Sequence, residues 1–134
     1  MEAIMLTKYK NDYAKIAMGF LSFIPDLKDI DHLKTELTLY TADNSHVLYL
    51  YREAPGADFE GVVGAELGKD YVMVRHLSLS PAVRSETTQF AVLRDLCAEY
   101  PDKKLMGTMD NASLIAAYQK YRKEDHDGAD VSAE

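Results

Sequence analysis

The chain has 134 residues, 47% of them apolar and 28% charged, the composition of one ordinary globular domain; it excludes intrinsic disorder, collagen-like repeats and a disulfide scaffold. A formal charge of −7 repels phosphate backbones and anionic lipid, so neither nucleic acid nor membrane is expected as a partner. Cys97 stands alone and cannot close an internal disulfide, which suits a reducing compartment. The longest apolar stretch, residues 16–24, is about half of what a membrane-spanning helix needs and stops at Pro25. With no basic, cleavable leader at the start, a cytoplasmic location is the expectation.

Alternation of Met5, Thr7 and Tyr9 against Leu6 and Lys8 predicts a short first strand. Asn11 or Asp12 can cap a following helix, in which Tyr13, Ile16, Ala17, Phe20 and Ile24 share one face and which Pro25 should end. Asp26 with Asp29 reads as the capping pair of a second helix. Its stripe is Leu27, Ile30, Leu33, Leu37 and Tyr40, and Asp43-Asn44 closes it. Residues 47–51 are an unbroken apolar run, as in a strand buried on both faces. Pro55 and Gly56 mark a hairpin loop. Residues 61–67 and 71–79 are two further strands, antiparallel because only the turn Gly68-Lys69-Asp70 separates them. A helix over 86–100 turns Phe90, Leu93, Leu96 and Tyr100 inward, a strand over 104–108 follows, and a last helix covers 111–123.

From Arg122 onward large apolar residues almost vanish, so 1–121 reads as one domain and 122–134 as an acidic, mobile tail. The order β-α-α-β-β-β-α-β-α predicts a single α/β domain (α+β, with a mixed sheet).

That order, and the residues at the fourth strand–helix junction, resemble the GNAT superfamily of acyl-CoA-dependent N-acyltransferases. Its signature there is apolar-x-apolar-x-Pro-x-x-Arg-Gly-x-Gly-x-Gly/Ala, and Leu77-Ser78-Leu79-Ser80-Pro81-Ala82-Val83-Arg84 matches the first eight positions. Ser85, Thr87 and Gln89 then stand where that family has glycines or a small residue. Asn111, Tyr118 and Lys120 fall on a second signature in the last helix. Residues 15–25, with Arg75-His76-Leu77-Ser78, are similar to the RibT-type branch of the superfamily, encoded with riboflavin-synthesis enzymes.

The resemblance implies a GNAT-like fold that here stops short of its last two strands, since nothing after Tyr121 has the apolar content to form them. The acceptor face would then be open or completed by a second copy, so a homodimer is expected. It also implies acetyl-CoA as cosubstrate, an amine as acceptor, and acetyl transfer between them, with a link to riboflavin metabolism. Residues Arg84, Ser85, Glu86, Thr87, Thr88 and Gln89 would cradle the pyrophosphate at a helix N-terminus, where unpaired N–H groups and the helix dipole favour an anion. The missing glycines and the charge of Glu86 weaken that cradle, and Ser85 can equally be an ordinary helix cap.

Leu77 and Leu79 would offer backbone N–H groups to the thioester oxygen. Tyr118, at its family position, would protonate the departing thiolate; a phenol near pKa 10 keeps its proton at neutral pH, although the ring can as well be core. Asn111 is a helix cap or a cofactor ligand. His76 and Glu66 are the two candidates for the general base, neither with a diagnostic partner, and Arg75 should face away from His76. The alternative is a catalytically degenerate GNAT-fold module that binds or regulates without transferring. No metal is expected, because His32, His46, His76, His126 and Cys97 have no ligand spacing.

Overall fold

A computed structural model describes residues 5–126. Its sheet has five strands in the order β1 (Leu6–Lys8), β2 (His46–Tyr51), β3 (Gly61–Leu67), β4 (Tyr71–Leu79), β5 (Lys104–Gly107). The first four are antiparallel neighbours and β5 lies parallel to β4, so the sheet is mixed as the element order predicts. Helices α1 (Ala14–Leu21) and α2 (Ile30–Ala42) cover one face, and α3 (Glu86–Glu99) and α4 (Ala112–Tyr121) cover the other.

Each face has its own core. Leu21, Leu33, Tyr40, Leu48, Leu50 and Val62 pack together under α1 and α2. Val63, Val74, Phe90, Leu93, Leu96 and Ile115 pack under α3 and α4. Strand β2 feeds both, with Leu48 and Leu50 on one side and Val47, Tyr49 and Tyr51 on the other, which is why its sequence is apolar without alternation. Truncating a fully buried leucine such as Leu50 or Leu93 to alanine would cost about 2–5 kcal/mol.

Helix entry and exit differ from the expectation in several places. Asn11–Tyr13 form a 3-10 turn leading into α1, and neither Asn11 nor Asp12 caps it through its side chain. The helix stops at Leu21, ahead of Pro25, because the bonds tighten: Phe23 N–H donates to Phe20 C=O and Ile24 N–H to Leu21 C=O. Pro25 instead holds Ile24 extended and opens a second 3-10 turn, Pro25–Leu27. Asp29 alone caps α2, accepting from the Asp31 N–H at 3.0 Å, while Asp26 sits in the turn before it. Ile16 and Ile30 are half out in solvent, so the buried stripes run through Ala17 with Leu21 and through Leu33 with Tyr40. The chain reverses in the β2–β3 loop at Gly56, whose φ of 85° needs a residue without Cβ.

Beyond α4 the helical path continues through Arg122–His126 in one wide π turn, and the Arg122 guanidinium, one helical turn on from Tyr118, lies over the Tyr118 ring. No strand follows α4 among the described residues. Of the mobile tail expected over 122–134, residues 122–126 thus carry on the helical path, and the remainder lies outside the described residues.

Candidate active site

Strand β4 organises the site because its two halves are paired differently. Tyr71–Val74 have β3 on one side and β5 on the other, with Tyr71 opposite Lys104 and Val74 opposite Gly107. There β5 ends, and the remaining five residues of β4 have a strand only on the β3 side. The Ser80 N–H donates to Glu60 C=O at 2.8 Å, which makes Ser80 and Glu60 a hydrogen-bonded pair. Antiparallel pairs alternate, so Leu79 opposite Gly61 and Leu77 opposite Val63 are pairs that exchange no bonds. The N–H groups of Leu77 and Leu79 therefore point away from β3, into the gap that β5 leaves. Arg84 turns back to the same gap and donates through Nε and Nη2 to Leu79 C=O at 3.3 and 3.1 Å, with its guanidinium over the Phe23 ring.

The gap is propped open at its closed end. Thr108 N–H donates to Val74 C=O at 3.0 Å, and Asn111 Nδ2 donates to Arg75 C=O at 3.1 Å and to Thr108 Oγ1 at 3.0 Å. Asn111 thus occupies the N-cap position of α4 without capping it; its amide satisfies strand carbonyls that lost their partner.

A β-bulge decides what faces the other side of β4. The register shifts between Gly64 and Ala65, so His76 opposes Gly64, Val74 opposes Ala65, and Arg75 is the extra residue. Simple alternation would put Arg75 and His76 on opposite faces; the bulge puts both on the α2 face. There Arg75 Nη1 lies 2.9 Å from Glu36 Oε1 and His76 Nδ1 lies 2.6 Å from the Tyr40 hydroxyl. Both line a cavity of about 580 Å³ with Asp26, Asp29, His32 and Glu36. Burial, reinforced by the Arg75 cation, holds the His76 pKa below its ordinary value. Two residues further, Ser78 Oγ donates to Phe20 C=O at 2.6 Å and ties α1 to the same strand.

On the opposite face a groove of about 980 Å³ runs between α3 and α4. Thr87, Phe90 and Tyr118 line it, and so do Arg94, Lys103, Lys104 and Arg122; none of its lining residues is acidic. A chain of net charge −7 has thus gathered cations along one aromatic groove, a feature invisible to composition. Tyr118 is 4% exposed, its ring 5.3 Å from Phe90 and stacked on Tyr121, with the Arg122 guanidinium over it.

The segment 84–89 reaches the groove at the start of α3. Ser85 caps that helix, its Oγ accepting from Thr88 N–H at 3.2 Å, and its C=O takes Gln89 N–H. The N–H groups of Glu86 and Thr87 are the first-turn donors left without a protein partner among the described residues. No residue of this segment needs positive φ, so its backbone forms without the glycines. Glu66 is elsewhere: it opposes Met73, accepts from the Tyr71 hydroxyl at 3.2 Å, and lies five residues along β3 from the Leu79 level, about 17 Å. The structure thus gathers His76, Leu77, Leu79, Arg84 and the start of α3 around one stretch of β4, puts Tyr118 on the groove side, and leaves Glu66 outside. Sequence reasoning missed Tyr40 and Glu36, which no motif marks.

No family model matches the chain. It is 33% identical over 112 residues to an N-acetyltransferase of Bacillus methanolicus, uncharacterized and named for the lysA 3′ region; the match covers 83% of this chain and 92% of that protein. Among solved structures, a probable acetyltransferase superposes with a TM-score of 0.63 at 9% identity, covering 87% of both chains. The aminoglycoside 6′-N-acetyltransferase of Acinetobacter haemolyticus superposes at 0.57 with 11% identity, over 88% of this chain and 87% of that one. With one residue in three shared along nearly the whole of the bacillary protein, and a fold common to both structures, the chain belongs to the GNAT-family N-acetyltransferases.

Proposed function

We propose that the chain transfers an acetyl group from acetyl-CoA to a small amine across the open half of β4. The observation that carries this reading is the pair of N–H groups at Leu77 and Leu79, free in a gap with a basic aromatic groove on one face and an acid-lined cavity on the other. Acetyl-CoA supplies the activated acetyl group as a thioester. The residues fit such a molecule: an anionic, aromatic nucleotide suits a groove lined by Phe90, Tyr121, Arg94 and Arg122, and the Glu86 and Thr87 N–H groups suit a pyrophosphate.

In this reading the Leu77 and Leu79 N–H groups stabilise the negative charge that grows on the carbonyl oxygen during attack. Tyr118 gives its proton to the departing sulfur. The acceptor enters from the α2 face, where Asp26 and Asp29 attract a cationic amine and Arg75 and His76 form the strand-side wall. Whether His76 takes a proton or gives a hydrogen bond depends on which ring nitrogen is protonated. The similarity of residues 15–25 to the RibT-type branch directs the search for the acceptor toward amines of flavin metabolism.

A thiol-release assay with acetyl-CoA and a panel of primary amines tests the proposal. Amine-dependent thiol release that drops sharply in Tyr118→Phe is expected. Release that no amine accelerates would leave a GNAT-fold binding module.

A further inference from the structure

Tyr40 is the residue of α2 that reaches the bulge. Its ring lies against the Cα of Gly64, its side chain is 5% exposed, and its hydroxyl is 2.6 Å from His76 Nδ1. A buried hydroxyl must place its proton on an acceptor. Arg75, whose guanidinium lies over the Tyr40 ring, has donors only, and Glu36 is engaged by Arg75 at 2.9 Å. Among the described residues, His76 Nδ1 is the acceptor the hydroxyl reaches. Burial pushes the Tyr40 pKa far up, so the phenol keeps that proton throughout the neutral range.

We propose that Tyr40 is a positioning residue that locks His76 as the tautomer protonated on Nε2, so that the cavity beside Arg75 is faced by an imidazole N–H which donates to an oxygen of the acceptor. Nδ1 is spent on Tyr40, and Nε2 has no protein partner among the described residues. The inference rests on the transferase reading for the acceptor's identity: an amine that also carries a hydroxyl, carboxylate or amide oxygen. It removes His76 as proton acceptor. The amine then sheds its proton to solvent, and the rate follows the acceptor's own pKa rather than that of His76.

The test needs neither acetyl-CoA nor acceptor, so lack of turnover would sink the transferase reading and leave this one standing. Long-range proton–nitrogen spectra of histidine-labelled protein, with His76→Gln for assignment, should show a pyridine-like Nδ1 and a pyrrole-like Nε2 at neutral pH. In Tyr40→Phe the neutral ring loses the donor that favours it, so His76 should titrate at higher pH than in the parent; Arg75, Glu36, Asp26 and Asp110, the charges acting on His76, are the same in both proteins. A protonated Nδ1 in the parent would overturn the proposal. So would a fall of the His76 pKa in Tyr40→Phe, because it would mean that the hydroxyl had been accepting from the ring. The parent spectrum decides the matter even if the variant folds poorly.

Discussion

Gly64→Ala is the sharpest probe of how the fold builds the α2 side of the site. A Cβ at Gly64 would land on the Tyr40 hydroxyl and ring, with Cε1 at 2.9 Å. The ring is buried between α2 and β3, so it can make room only by a rotation that surrenders its bond to His76. Overpacking of this kind costs about 1–3 kcal/mol, and the lost buried hydrogen bond adds about 1 kcal/mol. A loss of about 2–4 kcal/mol lowers the melting midpoint of a chain this size by about 6–20 °C. Thermal melting by circular dichroism reads that number, and the His76 ring resonances report whether Nδ1 has lost its partner. A midpoint within about 2 °C of the parent, with unchanged His76 resonances, would refute the seating of Tyr40 on Gly64.

Tyr118→Phe keeps the ring packed on Phe90 and Tyr121, so the melt should lose no more than the about 1 kcal/mol of one hydroxyl bond while kcat falls about 10²–10⁴-fold at nearly unchanged KM for acetyl-CoA; equal losses in both would point to binding instead. Ser85→Ala removes the cap of α3 and should cost about 1 kcal/mol, some 3–5 °C in the melt. Thr87→Gly with Gln89→Ala opens the backbone at the start of α3 and should tighten CoA binding in a calorimetric titration; an unchanged affinity would contradict the cradle. The folded His76 pKa lies below its ordinary 6.5, so in the window just under 6.5 the unfolded chain binds a proton that the folded chain refuses. Stability should therefore fall as pH drops through that window, and His76→Gln should flatten this part of a melt-versus-pH series.

Much of the architecture was legible because its residues carry their own local instructions. Residues 61–67 and 71–79 are strands with the predicted bounds, since a three-residue turn leaves their register little freedom. The apolar run of β2 foretold burial on both faces, and Ser85 was recognisable as a helix cap. What stayed hidden depends on partners distant in sequence. The bulge that swings Arg75 onto the His76 side comes from how β3 and β4 pair, and alternation alone gives the opposite answer. Tyr40 looked like one more apolar position of α2 until Gly64 and His76 met it. Asn111 reads as a cap by position but serves the carbonyl of Arg75, because β5 ends where it does. The basic groove gathers Arg94 from α3, Lys103 and Lys104 from the segment between α3 and α4, and Arg122 from the turn after α4, so net charge conceals it.

The proposed function stands on the gap beside Leu77 and Leu79, with the groove behind it, holding an acyl-CoA despite the missing glycines. Calorimetric titration of acetyl-CoA into the unmodified chain tests it most directly, with a thermal melt alongside. Micromolar binding is expected and, at a hundredfold excess over Kd, about 2.7 kcal/mol of added stability, a rise of several degrees in the midpoint. No heat of binding and an unmoved midpoint at millimolar ligand would contradict it.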